Sequence, residues 1–194
     1  MPYPERVETE RLVLRRWLAA DAPAMEAIWL EPQVWDALQP NRPFDPQQWR
    51  SMLDRHVRHW DVHGFGLWAV TTTEDPQPMG WVGASHPTFV PELADEVEIG
   101  WTLRTALWGR GLATEAATAA IEAAFAELPN DRVISLIHPR NERSMAVANR
   151  LGMSRAGEAI PPDLGEPLIV YALSRSSASS SSSRGASAQS TSSR

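Results

Sequence analysis

The sequence contains no cysteine. This excludes disulfides, a thiol nucleophile and any cysteine-ligated metal. No apolar run is long enough to span a bilayer, so a membrane-embedded role is not expected. The opening MPYPERVETERL has no basic-then-apolar leader pattern, and a cytoplasmic address is the expectation. A basic surplus is missing too: the net charge is −6. The segment after Leu173 carries Arg175, Arg184 and Arg194 but no acid, so the remainder is more acidic still. Nucleic-acid binding wants a basic face and is disfavoured, whereas a cationic partner is mildly favoured.

What remains is the composition of a globular domain, 194 residues long and 43% hydrophobic. That length suits one domain with a full core. Glu10–Trp17 (ERLVLRRW) alternates and predicts a strand. Asp21 is placed to cap a helix reaching about Leu30, and the proline-rich EPQVWDALQPNRPF predicts a loop. Asp45, Pro46 and Gln48 then announce a helix carrying Trp49, Met52, Leu53, His56 and Trp60 on one face. FGLWAVTT and MGWVGASH predict a hairpin, and EVEIGWTL a further strand. A helix from Thr114 to about Leu128 would bury Ala117, Ile121, Ala124, Phe125 and Leu128. RVISLIH, a helix from Asn141 to Leu151 stopped by Gly152, and the pair SRAGEAI and PLIVYALS complete the order. The expected fold class is α/β (α+β), a mixed, mostly antiparallel sheet with helices on its faces. The domain is expected to span 1–173, and the serine-rich 174–194 to be a disordered tail whose removal leaves activity intact.

The stretch VEIGWTLRTALWGRGLATEA places Gly109 and Gly111 at the mouth of a helix. The first amides of a helix lack internal partners and carry partial positive charge. Glycines there let a phosphate approach the backbone without Cβ collisions. The Lys-Ser/Thr of a nucleoside triphosphate loop is absent, as are the third glycine and downstream acid of a dinucleotide fingerprint. Two glycines could equally just shape a turn.

With HPRNERSMAVANRLGM after the next strand, the run closely resembles the GNAT superfamily of acetyl-CoA-dependent N-acetyltransferases. The branch that includes acetyltransferases of ribosomal-protein N-termini matches best. The strong resemblance covers about Glu96 to Met153. ETERLVLRRW and LIVYALSR agree more weakly. It implies a splayed pair of strands, with backbone groups of Trp101, Thr102 and Leu103 bonding the pantetheine arm. It further implies that Gly109, Arg110, Gly111, Leu112, Ala113 and Thr114 hold the pyrophosphate, and that Asn141 and Ser144 flank the cofactor arm. Acetyl-CoA is the implied co-substrate, with no metal. The implied acceptor is a primary amine, a peptide N-terminus or a small molecule, and a homodimer is common in that branch. Two positions depart from the family pattern. Trp108 stands where Gln or Arg usually begins the phosphate turn, as is common in the branch that matches best, and Ala148 where many members carry a tyrosine acid.

Acyl transfer to an amine needs the amine neutral, and free α-amines titrate near ~8 and lysines near ~10.4. Glu98, on the face of its strand opposite Val97, Ile99 and Trp101, is the candidate base. Its alternative is a solvated strand carboxylate. Ser144 is the candidate donor to the leaving thiolate, ahead of Tyr171, which sits at a core strand position. Glu96 and Glu115 are poorer bases. His86 and His138 are candidate proton relays at strand ends. His56, His59 and His63 share a helix face, but no matching ligand makes them a metal site. Trp29, Trp35, Phe44 and Trp49 flank the first loop and, with His86, are candidates to line the acceptor site. Two other readings stay open: a non-catalytic acyl-CoA-binding module, and an acyltransferase with a longer acyl donor or a hydroxyl acceptor.

Overall fold

The computed structural model describes residues 2–38 and 48–177, with nothing said of the side chains of Gln48 and Trp49. One eight-stranded sheet runs in the order β1-β2-β3-β4-β5-β6-β8-β7. Its strands are β1 (Arg6–Glu8), β2 (Val13–Arg15), β3 (Leu67–Thr71), β4 (Gly80–Ser85), β5 (Glu98–Leu103), β6 (Arg132–Ile137), β7 (Ser154–Ala159) and β8 (Leu168–Ser174). Every neighbouring pair is antiparallel except β5 and β6. The helices are α1 (Ala22–Trp29), α2 (Pro32–Leu38), α3 (Gln48–His63), α4 (Leu112–Glu127) and α5 (Glu142–Arg150).

Both faces of the sheet are covered, as successive residues of β4 make plain. Val82 turns to the core built with Ala116, Ala117 and Ala120 of α4. Its neighbour Trp81 turns the other way, to Ile28, Trp29 and Leu53 of α1 and α3. The alanines of α4 explain its close seat. Ala116, Ala117, Ala120 and Ala124 are fully buried, with little side chain to keep the helix off the strands. Phe125 and Leu128, expected on that face, are only partly buried at its border.

Several expectations need correction. The predicted strand Glu10–Trp17 shrinks to Val13–Arg15, because Thr9 and Leu12 close a turn (N···O 2.9 Å) from an unforeseen edge strand, β1. Three residues long, with half-buried Val7 between two exposed charges, Arg6–Glu8 is too short for its alternation to announce it. Asp21 makes no side-chain cap to α1. It accepts from Leu18 N at 2.8 Å and pairs with Arg15 at 2.7 Å. The expected loop after Glu31 begins with a helix, α2. Pro32 opens it, where a missing amide costs nothing, and Val34 and Trp35 bury its inner face. α4 starts at Leu112, two residues before Thr114. The expected cap at Asp45 lies outside the described residues.

β8 continues through Ser174, and Arg175 N donates to Asp131 O at 2.9 Å. The Arg175 guanidinium donates to the carbonyls of Phe125, Leu128 and Asn130, closing the C-terminal end of α4. Among the described residues no helix is long and apolar enough to cross a membrane.

Candidate functional site

β5 and β6 meet only at their beginnings. Glu98 stands opposite Ile134, and Ile134 N donates to Val97 O at 2.9 Å. Beyond that point β5 stays with β4, pairing Trp101 with Val82, Thr102 with Trp81 and Leu103 with Gly80. β6 instead follows β8 to Ile137. The two strands therefore splay into a wedge.

The bond from Arg104 N to Met79 O (2.9 Å) sets the phase of the β4–β5 ladder. In an antiparallel pair, alternate residues direct both backbone groups away from the partner. Trp101 and Leu103 are thus the residues whose amides face the wedge. Two groups occupy its inner end. Ser135 Oγ donates to Ile99 O at 2.6 Å, and the Glu98 carboxyl accepts from Leu136 N. Glu98 thus takes the β6 amide that the splay would otherwise orphan. Burial pushes this carboxyl up to about 7, against the opposing pull of the Leu136 amide.

The outer end leads into the glycine turn. Trp108 Nε1 donates to Leu103 O at 2.7 Å, so this side chain ties the turn back to the strand. Gly109 and Gly111 both adopt left-handed backbone, with φ of +73° and +78°. A Cβ at Gly109 would meet nothing within 4 Å, and one at Gly111 only the Arg11 guanidinium at 3.6 Å. The first helical bond of α4 runs from Glu115 N to Gly111 O at 3.0 Å, and no side chain caps the helix. The amides of Leu112, Ala113 and Thr114 are consequently left without helical partners. Thr114 Oγ1 is buried with no hydrogen-bond partner among the described residues. This open, amide-lined, left-handed turn fits a pyrophosphate.

The sequence did not reveal what holds the turn. Glu115 accepts from Thr9 Oγ1 (2.6 Å), Arg11 N (2.9 Å) and Arg11 Nε (2.6 Å), and these donors hold its carboxyl below its ordinary range despite partial burial. Arg11 also donates to Arg110 O at 3.0 Å. On the other side, Glu31 accepts from Arg104 Nε (2.6 Å) and Thr105 N (2.7 Å). The tight β1–β2 turn and the residue just before α2 thus clamp the segment between β5 and α4. No local pattern in the sequence signals contacts across such separations.

Asn141 caps α5, its Oδ1 accepting from Ser144 N at 3.0 Å, while its Nδ2 donates to Ala37 O of α2 at 3.1 Å. Both ends of the amide are committed. The Ser144 hydroxyl has no partner among the described residues. Ala148 is fully buried, and Tyr171 lies in the core.

The histidines are engaged elsewhere. His138 Nδ1 accepts from Arg140 N at 3.1 Å and its Nε2 lies 3.1 Å from Glu166. His86 Nδ1 donates to Glu96 O at 2.9 Å, and its ring packs with His59, His63 and Phe65 rather than with the tryptophans. His59 donates from Nδ1 to Phe65 O (2.8 Å) and accepts at Nε2 from His86 N (3.0 Å). No group of three His, Asp or Glu among the described residues is disposed to hold a metal. Trp29 is 1% exposed and stacks on Trp81 at 5.6 Å, so it backs the groove along α1 and α2 more than it surfaces it. Trp35 and Asp36 line the same groove. Phe44 and the Trp49 side chain lie outside the described residues.

The chain is similar to known proteins over most of its length. The family model for an acetyltransferase (GNAT) domain matches residues 11–154. The uncharacterized N-acetyltransferase p20 of Bacillus licheniformis is 26% identical over 154 residues, covering 79% of this chain and 84% of that protein. The crystal structure of an acetyltransferase from Agrobacterium tumefaciens superposes with a TM-score of 0.75 at 30% identity, over 88% of this chain and 94% of that one. A ribosomal-protein-S5-alanine acetyltransferase from Vibrio fischeri shares the fold, with a TM-score of 0.66 at 22% identity, over 87% and 96% of the two chains.

Proposed function

The chain belongs to the GNAT acetyltransferase family, and from that premise we propose that it transfers an acetyl group from acetyl-CoA to a primary amine by direct attack. The acceptor is a peptide N-terminus or a small cationic amine. The observation that carries this reading is Glu98: a carboxyl at the closed end of the wedge, raised to about 7, is matched to taking a proton from an ammonium near neutral pH.

When bound, acetyl-CoA supplies the activated thioester. The free amides of Leu112, Ala113 and Thr114 and the open turn at Gly109–Gly111 hold its pyrophosphate. Trp101 and Leu103 direct amides into the wedge, to bond the pantetheine arm and to stabilise the oxyanion that develops on the acetyl carbonyl. Glu98 accepts the ammonium proton, directly or through water, and the freed nitrogen lone pair forms the C–N bond as the C–S bond breaks. Ser144 donates its hydroxyl proton to the departing thiolate and regains one from solvent. The acidic balance of the chain supports a cationic acceptor.

The test is free-thiol release from acetyl-CoA across peptides with free N-termini and cationic amines, run beside Glu98→Gln. Turnover with one acceptor class, lost in the variant while CoA still binds, is the expected result. Equal turnover in the variant would overturn the base assignment. Silence with every acceptor, alongside intact CoA binding, would favour a binding module.

A further inference from the structure

Glycine weakens a strand, and it stands there for one of three reasons: a backbone angle that needs it, a neighbour too close for a Cβ, or a ligand that must come close. Four glycines stand in the described strands, and the fold itself accounts for three of them. A Cβ at Gly80 would run into Thr102 O, and one at Gly83 would lie 2.6 Å from Gly66 O. Gly157 has a φ of +154° beside the bulge of β7. Gly100 is the fourth. Its φ is not positive, and a Cβ there would touch one described atom, Leu67 Cδ2, at an ordinary 3.9 Å. Neither the backbone nor the packing asks for glycine at this position.

Gly100 lies on the fifth strand of the eight, in the middle of a sheet covered on both faces, yet it is partly exposed. The registers set Leu67, Gly83 and Gly100 in one row across β3, β4 and β5. By strand alternation this row lies on the face that carries Trp81 and Glu98. Two bare positions side by side leave a recess there. Its wall is Leu67, which packs against the cluster of Trp29, Trp35 and Trp81. Glu98 stands opposite Ile134, so Gly100 stands level with Leu136, whose amide the Glu98 carboxyl accepts. That bond carries the carboxyl forward along β5 to the edge of the recess.

The acyl donor leaves this face free. The Trp101 and Leu103 amides point into the wedge, in the plane of the sheet, and the glycine turn leads to α4, which packs on the opposite face with Val82 and Ile99. We propose that the recess at Gly100 seats the carbon bearing the reacting amine, and that Leu67 restricts it to a carbon without a branch, so that the acceptor is a CH2–NH2 amine. This rests on the acetyl-transfer reading above. A carbon resting on the bare Gly100 backbone takes the volume of the missing Cβ, in contact with Leu67 and with its nitrogen beside the Glu98 carboxyl. A branch on that carbon presses on Leu67. Both an alkylamine and a glycyl N-terminus have the required CH2–NH2 group.

The experiment is steady-state acetyl transfer by the full chain, Gly100→Ala and Leu67→Ala, with acetyl-CoA binding and ligand-free Tm measured beside it. The acceptors are matched pairs: butylamine against sec-butylamine, and a glycyl against a valyl peptide of otherwise identical sequence. Wild type is expected to favour the unbranched member of a pair by roughly tenfold or more in kcat/KM. Activity in one pair alone tells an alkylamine acceptor from a peptide. Gly100→Ala puts a methyl group into the recess and should lower kcat/KM for the preferred acceptor by roughly tenfold or more. Its acetyl-CoA affinity should hold, and its Tm should equal or exceed that of wild type, since alanine fits this backbone and restricts the unfolded chain. Leu67→Ala should bring the two members of a pair close to parity. Unchanged kcat/KM in Gly100→Ala overturns the proposal. So does weakened acetyl-CoA binding in that variant, which would give the recess to the acyl donor, and so does a wild type that takes both members equally. A wild-type chain that binds acetyl-CoA but acetylates no amine overturns the acetyl-transfer reading itself, and this inference with it.

Discussion

Glu98 links the shape of the wedge to its chemistry through a single carboxyl. It accepts the Leu136 amide because β6 has left β5, and burial in that position raises it to about 7. As the base it must be ionised, so kcat/KM should climb with pH through about 7 and level off above it. Glu98→Gln keeps an acceptor for Leu136 N and removes the proton acceptor. Its turnover should fall by roughly 10²–10⁴-fold, with CoA affinity held. Stability should move the opposite way. A carboxyl raised in the folded state binds a proton that the unfolded chain has already released, so folding loses stability as pH rises from the ordinary carboxylate range to about 7. The variant should therefore melt above wild type at pH 8, the gap closing towards pH 5. A wild-type advantage at pH 8 would mean that the carboxylate is not penalised there.

At the scale of elements, the ends of the helices decide what the domain tolerates. Arg175 covers the last carbonyls of α4 from beyond β8, a set of charge-assisted bonds. Cutting after Leu173 removes it together with the final residue of β8. The chain so shortened should lose about 1–3 kcal/mol in denaturant titrations. Asn141 does two things at once, capping α5 and holding Ala37 O of α2. Asn141→Ala should cost about 0.5–2 kcal/mol from the cap alone. Asn141→Asp keeps the acceptor for Ser144 N but presents a carboxylate to the Ala37 carbonyl. If the tether to α2 matters, it should restore only part of the stability. α2 also shows why proline content alone does not mark a loop. Prolines flank PQVWDAL on both sides, but the first of them sits at a helix N-terminus, and only the Trp29–Trp35–Trp81 cluster gives Val34 and Trp35 somewhere to go.

Across the whole molecule, two buried groups pull the pH dependence of stability in opposite directions. His56, packed between Trp17 and Trp81 with no partner for Nδ1 among the described residues, is pushed down to about 3 by burial. Below its ordinary range near 6.5 the unfolded chain takes up a proton that the folded chain refuses, so stability falls as pH drops from there towards 3. His56→Leu should flatten this acid limb of Tm against pH, and an unaltered limb would place its origin elsewhere. Ligand linkage gives a further whole-molecule check. CoA at a hundredfold excess over Kd adds about 2.7 kcal/mol, which for a chain of this size raises Tm by roughly 5–10 °C. All 18 basic residues are arginines, so no side-chain amine of the protein competes with an added acceptor. Mass spectrometry after turnover should accordingly find no acetylated side-chain amine on the protein itself.

Whatever depends on near neighbours can be read along the chain. The left-handed glycine turn opening an alanine-rich helix is local chemistry, as are the Asn141 cap three residues before Ser144, the Gly80–Ser85 and Leu67–Thr71 hairpin, and the alternation along β5. Each was legible because backbone conformation and hydrophobic period are set within a few residues. Which groups meet across the chain is a matter of the fold. It set Glu98 against Leu136, Arg11 against the α4 turn and Glu31 against Thr105. Those pairings come from strand order and from where β5 and β6 part. A carboxyl's proton affinity depends on such distant neighbours, which no local pattern encodes.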